Sequence, residues 1–352
     1  MATPELLQSL LTLPGPSGYE ARPARVWREW CERFATEVAV DTVGSSWARI
    51  AGTAGGPTLA VVGHIDEIGV HVTHIDDNGF LNFNQIGGWD PIQLVGQRVV
   101  LETRGGPVRG VIGRKPVHLL KDEDLKRAPE LKELHIDIGA AGGEEARGRV
   151  RVGDTGVIDV EPLEFPGGRV VSRSLDNRVG CYVAARAAEL VAEAGGAPGD
   201  FLALAVTQEE TNFGGSRTSA FRHDPDVAIA VDVTHETGQP GVELGQTTRH
   251  EFGSGPTISR GSTLNPSVFE LLHETAEQQG IPFTIESSGR GTGTDADAFT
   301  ISRAGIPTGL VSVPLRYMHS PVEMVSLDDI ESSAQLLAAF AQRLRPGISF
   351  AR

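Results

Sequence analysis

In VTQEETNFGG two glutamates, Glu209 and Glu210, stand side by side immediately after the apolar run FLALAV. Carboxylates are seldom placed where a buried strand ends unless something holds them there. Three other apolar runs end in a similar way. LAVVG is followed by His64, Asp66 and Glu67, VAIAV by Asp232 and His235, and TGLVSVPLRYM by His319. Asp176, in SRSLDNRVG, stands just ahead of a helical pattern. Each piece alone has a bland reading. A histidine after a strand is more often a hydrogen-bonded structural residue, Asp176 reads as a helix N-cap, and paired glutamates read as a solvated face. The conjunction is harder to dismiss, because two histidines and three carboxylates at one sheet edge repel or stay unsatisfied without a cation. Mixed nitrogen and oxygen donors suit Zn²⁺, Co²⁺ or Mn²⁺, whereas Ca²⁺ and Mg²⁺ favour oxygen alone. Two such ions, roughly 3.5–4 Å apart, need a bridging carboxylate, and five donors are about what the pair uses.

The elements that must position these residues follow from the hydrophobic periods. Two helical patterns, ATPELLQSLLTL and GYEARPARVWREWCERFA, open the chain, followed by the extended stretch TEVAVDTVGSSWARI and the buried strand PTLAVVG. From about residue 163 helices and apolar strands alternate, with the second half resuming near Val170. This predicts an α/β fold, a mixed sheet with helices on both faces. Ligands of such sheets bind beyond the carboxyl ends of the strands, where the candidate residues fall. Residues 72–162 differ: short β-prone pieces such as FLNFNQIG, LVGQRVVLET and LHIDIG are punctuated by turn signals. Helical periodicity there is confined to KDEDLKRAPELKE. We therefore expect an all-β, barrel-like insertion at 72–162, interrupting a catalytic domain made of 1–71 and 163–352.

Composition narrows the partners. The 352 residues carry 46 acidic against 31 basic side chains, a formal charge of -15, so nucleic acid and anionic membranes are not expected partners. Two cysteines, Cys31 and Cys181, exclude a disulfide framework or a thiolate zinc site by number. No apolar run approaches the roughly 18 residues of a membrane helix. The first twenty residues lack a basic stretch followed by a long apolar one, so no secretory signal is expected and the chain reads as cytoplasmic.

HIDEIG, LDNRVG, QEE followed by GG, VDVTH and RYMHSPVE occur in the order of the motifs of the TET-type (tetrahedral) dinuclear metallo-aminopeptidases, and the chain resembles that family over nearly its whole length. PGPSGYE, IGGWDPIQLVGQRV, GVIGRKPVHLL, LHIDIGA and GTGTDADAF extend the likeness. The resemblance implies roles residue by residue. His64 and Asp232 would complete one metal site, Glu210 and His319 the other, and Asp176 would bridge them. Asp66 would accept the second N–H of His64, and Glu209 would be the general base for a metal-bridged hydroxide that releases the N-terminal residue of a short peptide. Glu209 and Glu210 would do different jobs because neighbours on an extended chain point opposite ways. The resemblance also implies two divalent ions per subunit, a cis Asp176–Asn177 peptide bond, and dimers made through 72–162 that build a tetrahedral dodecamer.

The remaining histidines and arginines receive plainer readings. His71 and His74 follow the first ligand strand into the insertion and His135 lies within it, as structural or surface residues; His118, in the family-like KPVH, could lie near the active site, and His235 is close enough to Asp232 either to support the site or to be purely structural. Arg260, Arg290 and Arg316 flank motifs on loops, where they could shape a substrate pocket, although ordinary salt bridges are the expectation. Two rival functions fit parts of the pattern. A glycoside hydrolase also uses paired carboxylates, but needs no histidine ligands, and only 6% of the residues are aromatic where sugar clefts want stacking platforms. A non-catalytic metal scaffold would leave Glu209 without a purpose. The preferred N-terminal residue is open at this level, and so is the native metal.

Overall fold

The structure, a computed structural model, describes residues 2–245 and 247–351. Among the described residues eleven strands form one mixed sheet, and six more close into a barrel. Four parallel strands make the middle of the sheet, in the order Gly199–Val206, Gly56–His64, Val227–His235 and Thr308–Arg316. They are short, β-branched and alanine-rich, and buried on both faces, as parallel strands must be. Side chains alternate between two cores. Leu59 and Val61 join the larger core, which packs against the helices Glu5–Thr12, Ala21–Cys31, Leu175–Glu193, Pro266–Gln279 and Leu327–Gln342. Ala60 and Val62 face the smaller one with Ala220 and Phe299, from the helices Gly214–His223 and Asp295–Thr300. The expected α/β architecture with helices on both faces is therefore the observed one.

Antiparallel strands extend the sheet on both sides. Glu37–Val40 and Ser46–Ile50 form a hairpin at one edge, which divides the predicted extended stretch in two. Glu323–Ser326, Arg169–Ser172 and Leu163–Phe165 continue the other side, while Thr257–Gly261 pairs with Thr308–Arg316 and carries Thr284–Ser288.

The barrel leaves the sheet directly after His64. Its order is Gly69–Ile75, Leu81–Ile86, Leu134–Asp137, Gly106–Arg114, Arg98–Thr103 and Thr155–Ile158, with every pairing antiparallel. It encloses its own core, including Val70, Phe83, Leu101 and Ile136. Helical periodicity in KDEDLKRAPELKE does not produce an α-helix. The segment holds only the 3-10 turns Asp124–Lys126 and Leu131–Glu133, because Pro129 interrupts it and nearly all of it faces solvent. A short helix, Gly143–Arg149, forms instead where no period announced one. No helix among the described residues is long and apolar enough to cross a membrane.

One close approach fixes the strand that carries His64 to the helix that carries Asp176. A Cβ on Gly63 would stand 2.3 Å from the Gly180 carbonyl carbon and 2.5 Å from the Cys181 nitrogen, so both positions are held to backbone contact.

Candidate metal centre

Register brings the strand ends into line. His64 pairs with Val206, Val62 with Ala230, and Asp232 with Ser312, so one row crosses the parallel strands at their carboxyl ends. His64 is the last residue of its strand and is 1% exposed, and Asp232 is buried on the neighbouring strand. Asp176 enters from the start of the helix Leu175–Glu193, where it and Asn177 depart from helical angles, and the Asp176–Asn177 peptide bond is cis, as expected. Asn177 locks that turn by donating from Nδ2 to the Val231 carbonyl at 2.7 Å and accepting the Gly180 N–H at Oδ1. His319 follows the strand Thr308–Arg316 in a left-handed conformation, φ 57°.

The two oxygens of Asp176 face different imidazoles. Oδ1 lies 3.2 Å from His64 Nε2, and Oδ2 lies 3.4 Å from His319 Nε2. Glu210 Oε1 is 3.5 Å from His319 Nε2, and Glu209 Oε2 is 3.7 Å from His64 Nε2. Two overlapping sets of donor atoms, His64–Asp176–Glu210 and His64–Glu209–Asp232, each fall within 4.8 Å of one another. A tetrahedral ion with ligand bonds of about 2.0–2.1 Å separates its ligand atoms by about 3.3 Å. The spacing thus fits donors gathered around cations.

Electrostatics gives the same answer. Burial, then the charge of His64 set against Asp232 and other acids, leaves Glu209 pushed up to about 10. Burial and the neighbouring Asp176 push Glu210 and Asp232 each to about 8. Burial opposes charge on His64, yet the surrounding carboxylates outweigh it and raise its pKa well above the usual range. His319 rises to about 9, chiefly through Asp176. Asp176 moves the other way: burial disfavours its charge, but the two imidazoles hold it well below the carboxylate range. The cluster retains protons at the positions where a divalent cation would neutralise it, so the residues present fit such an ion.

The two glutamates do not lie on an extended chain. Gln208 adopts φ 60°, and Glu209–Asn212 is a short helix, so the divergence expected from strand geometry comes from successive positions in a helical turn. Asp66 anchors that turn. Its Oδ1 accepts the Glu209 N–H and its Oδ2 the Glu210 N–H, each at 3.1 Å. Asp66 Oδ1 is also 3.5 Å from His64 Nδ1, a contact too long for a good hydrogen bond. Asp66 therefore bears on the glutamates as directly as on the imidazole.

Two supports escaped sequence reasoning. Glu323, 2% exposed, accepts the N–H of His319 at 2.9 Å and of Asp176 at 3.1 Å, tying two donor segments together. Its only sequence signal was its place in RYMHSPVE. Gly88, from the barrel side, accepts the His319 Nδ1 proton at 2.8 Å, which leaves Nε2 as the lone-pair nitrogen facing Asp176 and Glu210. The glycine pair in IGGWD permits this approach. A Cβ on Gly87 (φ 71°) would stand 3.1 Å from Glu210 Oε2, and one on Gly88 would stand 3.3 Å from His319 Nδ1.

Behind the site, Arg178 is fully buried. It donates to Glu67 at 2.7 Å, to the Ile65 carbonyl at 3.3 Å and to the carbonyls of Leu10 and Leu13, while Arg173 also donates to Glu67. A cavity of about 520 Å³ opens over the donors. His235 lines it, whereas His71, His74, His118 and His135 lie in the barrel region away from it. Arg316 is paired with Glu236 at 2.6 Å and Arg260 with Glu270 at 4.0 Å, and neither they nor Arg290 line the cavity.

A sheet that gathers histidines and carboxylates at the ends of its parallel strands, with a barrel carbonyl closing over one of them, has the make-up of a metallohydrolase. Comparison with known proteins makes this specific. The family model described as M42 glutamyl aminopeptidase matches residues 44–336, and the chain belongs to that family. It is 34% identical to the lysyl aminopeptidase of Pyrococcus furiosus over 97% of each chain. The structure matches the TET aminopeptidase of a marine-sediment Thaumarchaeota archaeon with a TM-score of 0.92, at 34% identity over 97% of each chain. It also matches the TET1 peptidase of Pyrococcus horikoshii, which assembles into a tetrahedron or a large octahedral shell, with a TM-score of 0.84 at 31% identity, covering 97% of this chain and 99% of that one. The protein is thus an aminopeptidase, a hydrolase of peptide bonds.

Proposed function

We propose that the protein removes the N-terminal residue of short peptides at two divalent cations, Zn²⁺ or Co²⁺ ahead of Mn²⁺, with Glu209 as general base. The observation that carries this reading is the placement of Asp176, whose two oxygens face His64 and His319 respectively. His64 and Asp232 would hold one ion, Glu210 and His319 the other, and Asp176 both. Bound there, the ions would supply Lewis acidity to the scissile carbonyl and lower the pKa of the attacking water. The residues do the rest. Glu209, beside His64 and on the cavity wall, accepts the proton of the water at its carboxylate and returns one to the leaving amine. Gly88 keeps the His319 lone pair directed inward, and Asp66 holds the turn on which Glu209 stands.

Self-association belongs to the same proposal. The relative from Pyrococcus horikoshii can assemble into a tetrahedron or a large octahedral shell, and we assign the barrel domain, expected at 72–162 between 1–71 and 163–352 and with its first strand reaching back to Gly69, as the one that makes the dimer contact. A stable monomer at micromolar concentration in light scattering would contradict this assembly.

The reaction is tested with a short peptide whose amino terminus is either free or acetylated. Hydrolysis of the free form alone, lost with EDTA and restored by Co²⁺ or Zn²⁺, is expected. Equal cleavage of both forms, or activity indifferent to chelation, would contradict it. Cleavage of oligosaccharides in place of peptides would favour the glycoside hydrolase.

A further inference from the structure

We infer that the cavity beside the donor cluster selects peptides whose first residue is cationic, lysine or arginine, and that Glu286 is the carboxylate that recognises the charge. The inference rests on the aminopeptidase reaction proposed above and specifies its substrate. The descriptions of the family and of its Pyrococcus furiosus member, glutamyl and lysyl, name side chains of opposite charge, so family membership leaves the choice open.

Glu286 lies in the strand Thr284–Ser288, whose residues alternate between half-buried and exposed. An ordinary surface strand turns its apolar side chains inward. Here the order is reversed: Glu286 occupies a protected position and lines the cavity, while Ile285 is 36% exposed. A local rule broken in this way marks a site where function outweighs packing.

The carboxylate is fixed in place and has no cation of its own. Thr234 Oγ1 donates to Glu286 Oε1 at 3.1 Å, and among the described residues no Lys, Arg or His lies within ion-pair distance of it. Of the basic groups in this region, His235 lines the cavity but is exposed, Arg290 is exposed and does not line it, and two arginines are committed elsewhere. Arg260 faces Glu270 and Arg316 faces Glu236. Burial lowers the pKa of His250 and outweighs the opposing charge of Glu286, and its Nδ1 is engaged with Thr284 at 2.7 Å. No Lys or Arg lines the cavity among the described residues.

The position of Glu286 suits the side chain of a bound first residue. Thr234 is two residues beyond Asp232 on the same face of its strand, about 6.6 Å farther along. A substrate amine held at the donor cluster would therefore have Glu286 at about the reach of a four-carbon stem. Phe213, Leu310 and Met318 line the same cavity and offer apolar surface to that stem. An acidic first residue would instead bring a second carboxylate beside Glu286 with no arginine to receive it.

The test compares kcat/KM on lysyl, arginyl, norleucyl and glutamyl p-nitroanilides for the metal-loaded wild type, Glu286→Gln and Glu286→Lys. Norleucine keeps lysine's stem without its charge. Wild type should prefer lysyl to norleucyl by roughly 10–100-fold, the span of a charge-assisted hydrogen bond, mainly through KM. Glu286→Gln should bring that ratio close to one, and Glu286→Lys should favour glutamyl. A wild type that prefers norleucyl or glutamyl, or a Gln variant that keeps the lysyl preference, overturns the inference while leaving the aminopeptidase reading intact. If none of the four substrates is cleaved, the aminopeptidase reading fails instead. Calorimetry with free lysine and norleucine then judges the pocket: tighter lysine binding that Glu286→Gln abolishes supports the assignment, and equal binding of the two refutes it.

Discussion

Glu209→Gln and Glu210→Gln should give opposite phenotypes although the residues are neighbours. The assignment needs this test, because Glu209 Oε2 stands 3.7 Å from His64 Nε2 and groups with His64 and Asp232 as closely as a ligand would. If Glu209 is the base, the Gln variant keeps size and polarity but cannot take a proton. The five proposed donors, His64, Asp176, Glu210, Asp232 and His319, are untouched, so metal content should stay at the wild-type level. Turnover should fall by roughly 10²–10⁴, the contribution of a positioned base, or about 3–5 kcal/mol of barrier. Glu210→Gln instead removes an anionic donor 3.5 Å from His319 Nε2. Losing only an outer partner of a ligand costs about 10–100-fold in metal affinity, so losing a ligand should cost at least that. Activity should then return in part with excess metal.

Both variants would be dialysed against a defined Zn²⁺ or Co²⁺ concentration, analysed by metal mass spectrometry, and assayed on one short peptide. Full metal with no catalysis is expected for the first, and reduced metal with partial rescue for the second. Loss of metal from Glu209→Gln, or near-normal turnover when it is fully loaded, would refute the division of labour.

Further predictions concern stability. Arg178→Ala should cost about 2–4 kcal/mol, because it strips the Leu10 and Leu13 carbonyls of their buried donor and takes one of two arginines from Glu67, which keeps Arg173; a denaturation midpoint shifted by less than the equivalent of about 1 kcal/mol would contradict this. Asp329, raised to about 6 mainly by burial although it accepts the Gly253 and Gly255 N–H groups, binds its proton more tightly folded than unfolded. Its contribution is therefore fully present below the unfolded value of about 3.9 and is lost as pH rises through about 6, amounting to at most about 3 kcal/mol. Asp329→Asn should remove that component, so the wild type should gain more stability than the variant between pH 7 and pH 4.5; parallel behaviour in urea unfolding would show the carboxyl to be unperturbed.

How far the site could be read from the sequence follows from how it is built. His64, Asp232 and His319 each close an apolar run, and parallel register carries the ends of such runs to one edge without further instruction. Glu210 is legible for the same reason, but its orientation is not, because the turn at Gln208 replaces the extended geometry that the run implied. Asp176 has no strand to announce it and is recognisable only within LDNRVG. Segment 121–133 has a helical period without an α-helix because charge spacing can mimic that period where no apolar face anchors a helix.

Gly88 and Glu323 lie beyond such reading because tertiary contact alone creates their roles. The Gly88 carbonyl reaches His319 across 231 residues of sequence, and glycine contributes no side chain by which the contact could be inferred. Yet the same contact shows that the barrel is part of the site. His319 takes its backbone support from Glu323 in the sheet and its ring orientation from Gly88 on the barrel side, while Gly87 presses against Glu210. A barrel displaced by even one ångström would release the imidazole that faces Asp176 and Glu210, since hydrogen bonds weaken steeply outside their narrow range. Whatever the barrel docks against is therefore coupled, through one carbonyl, to the second of the two proposed cation sites.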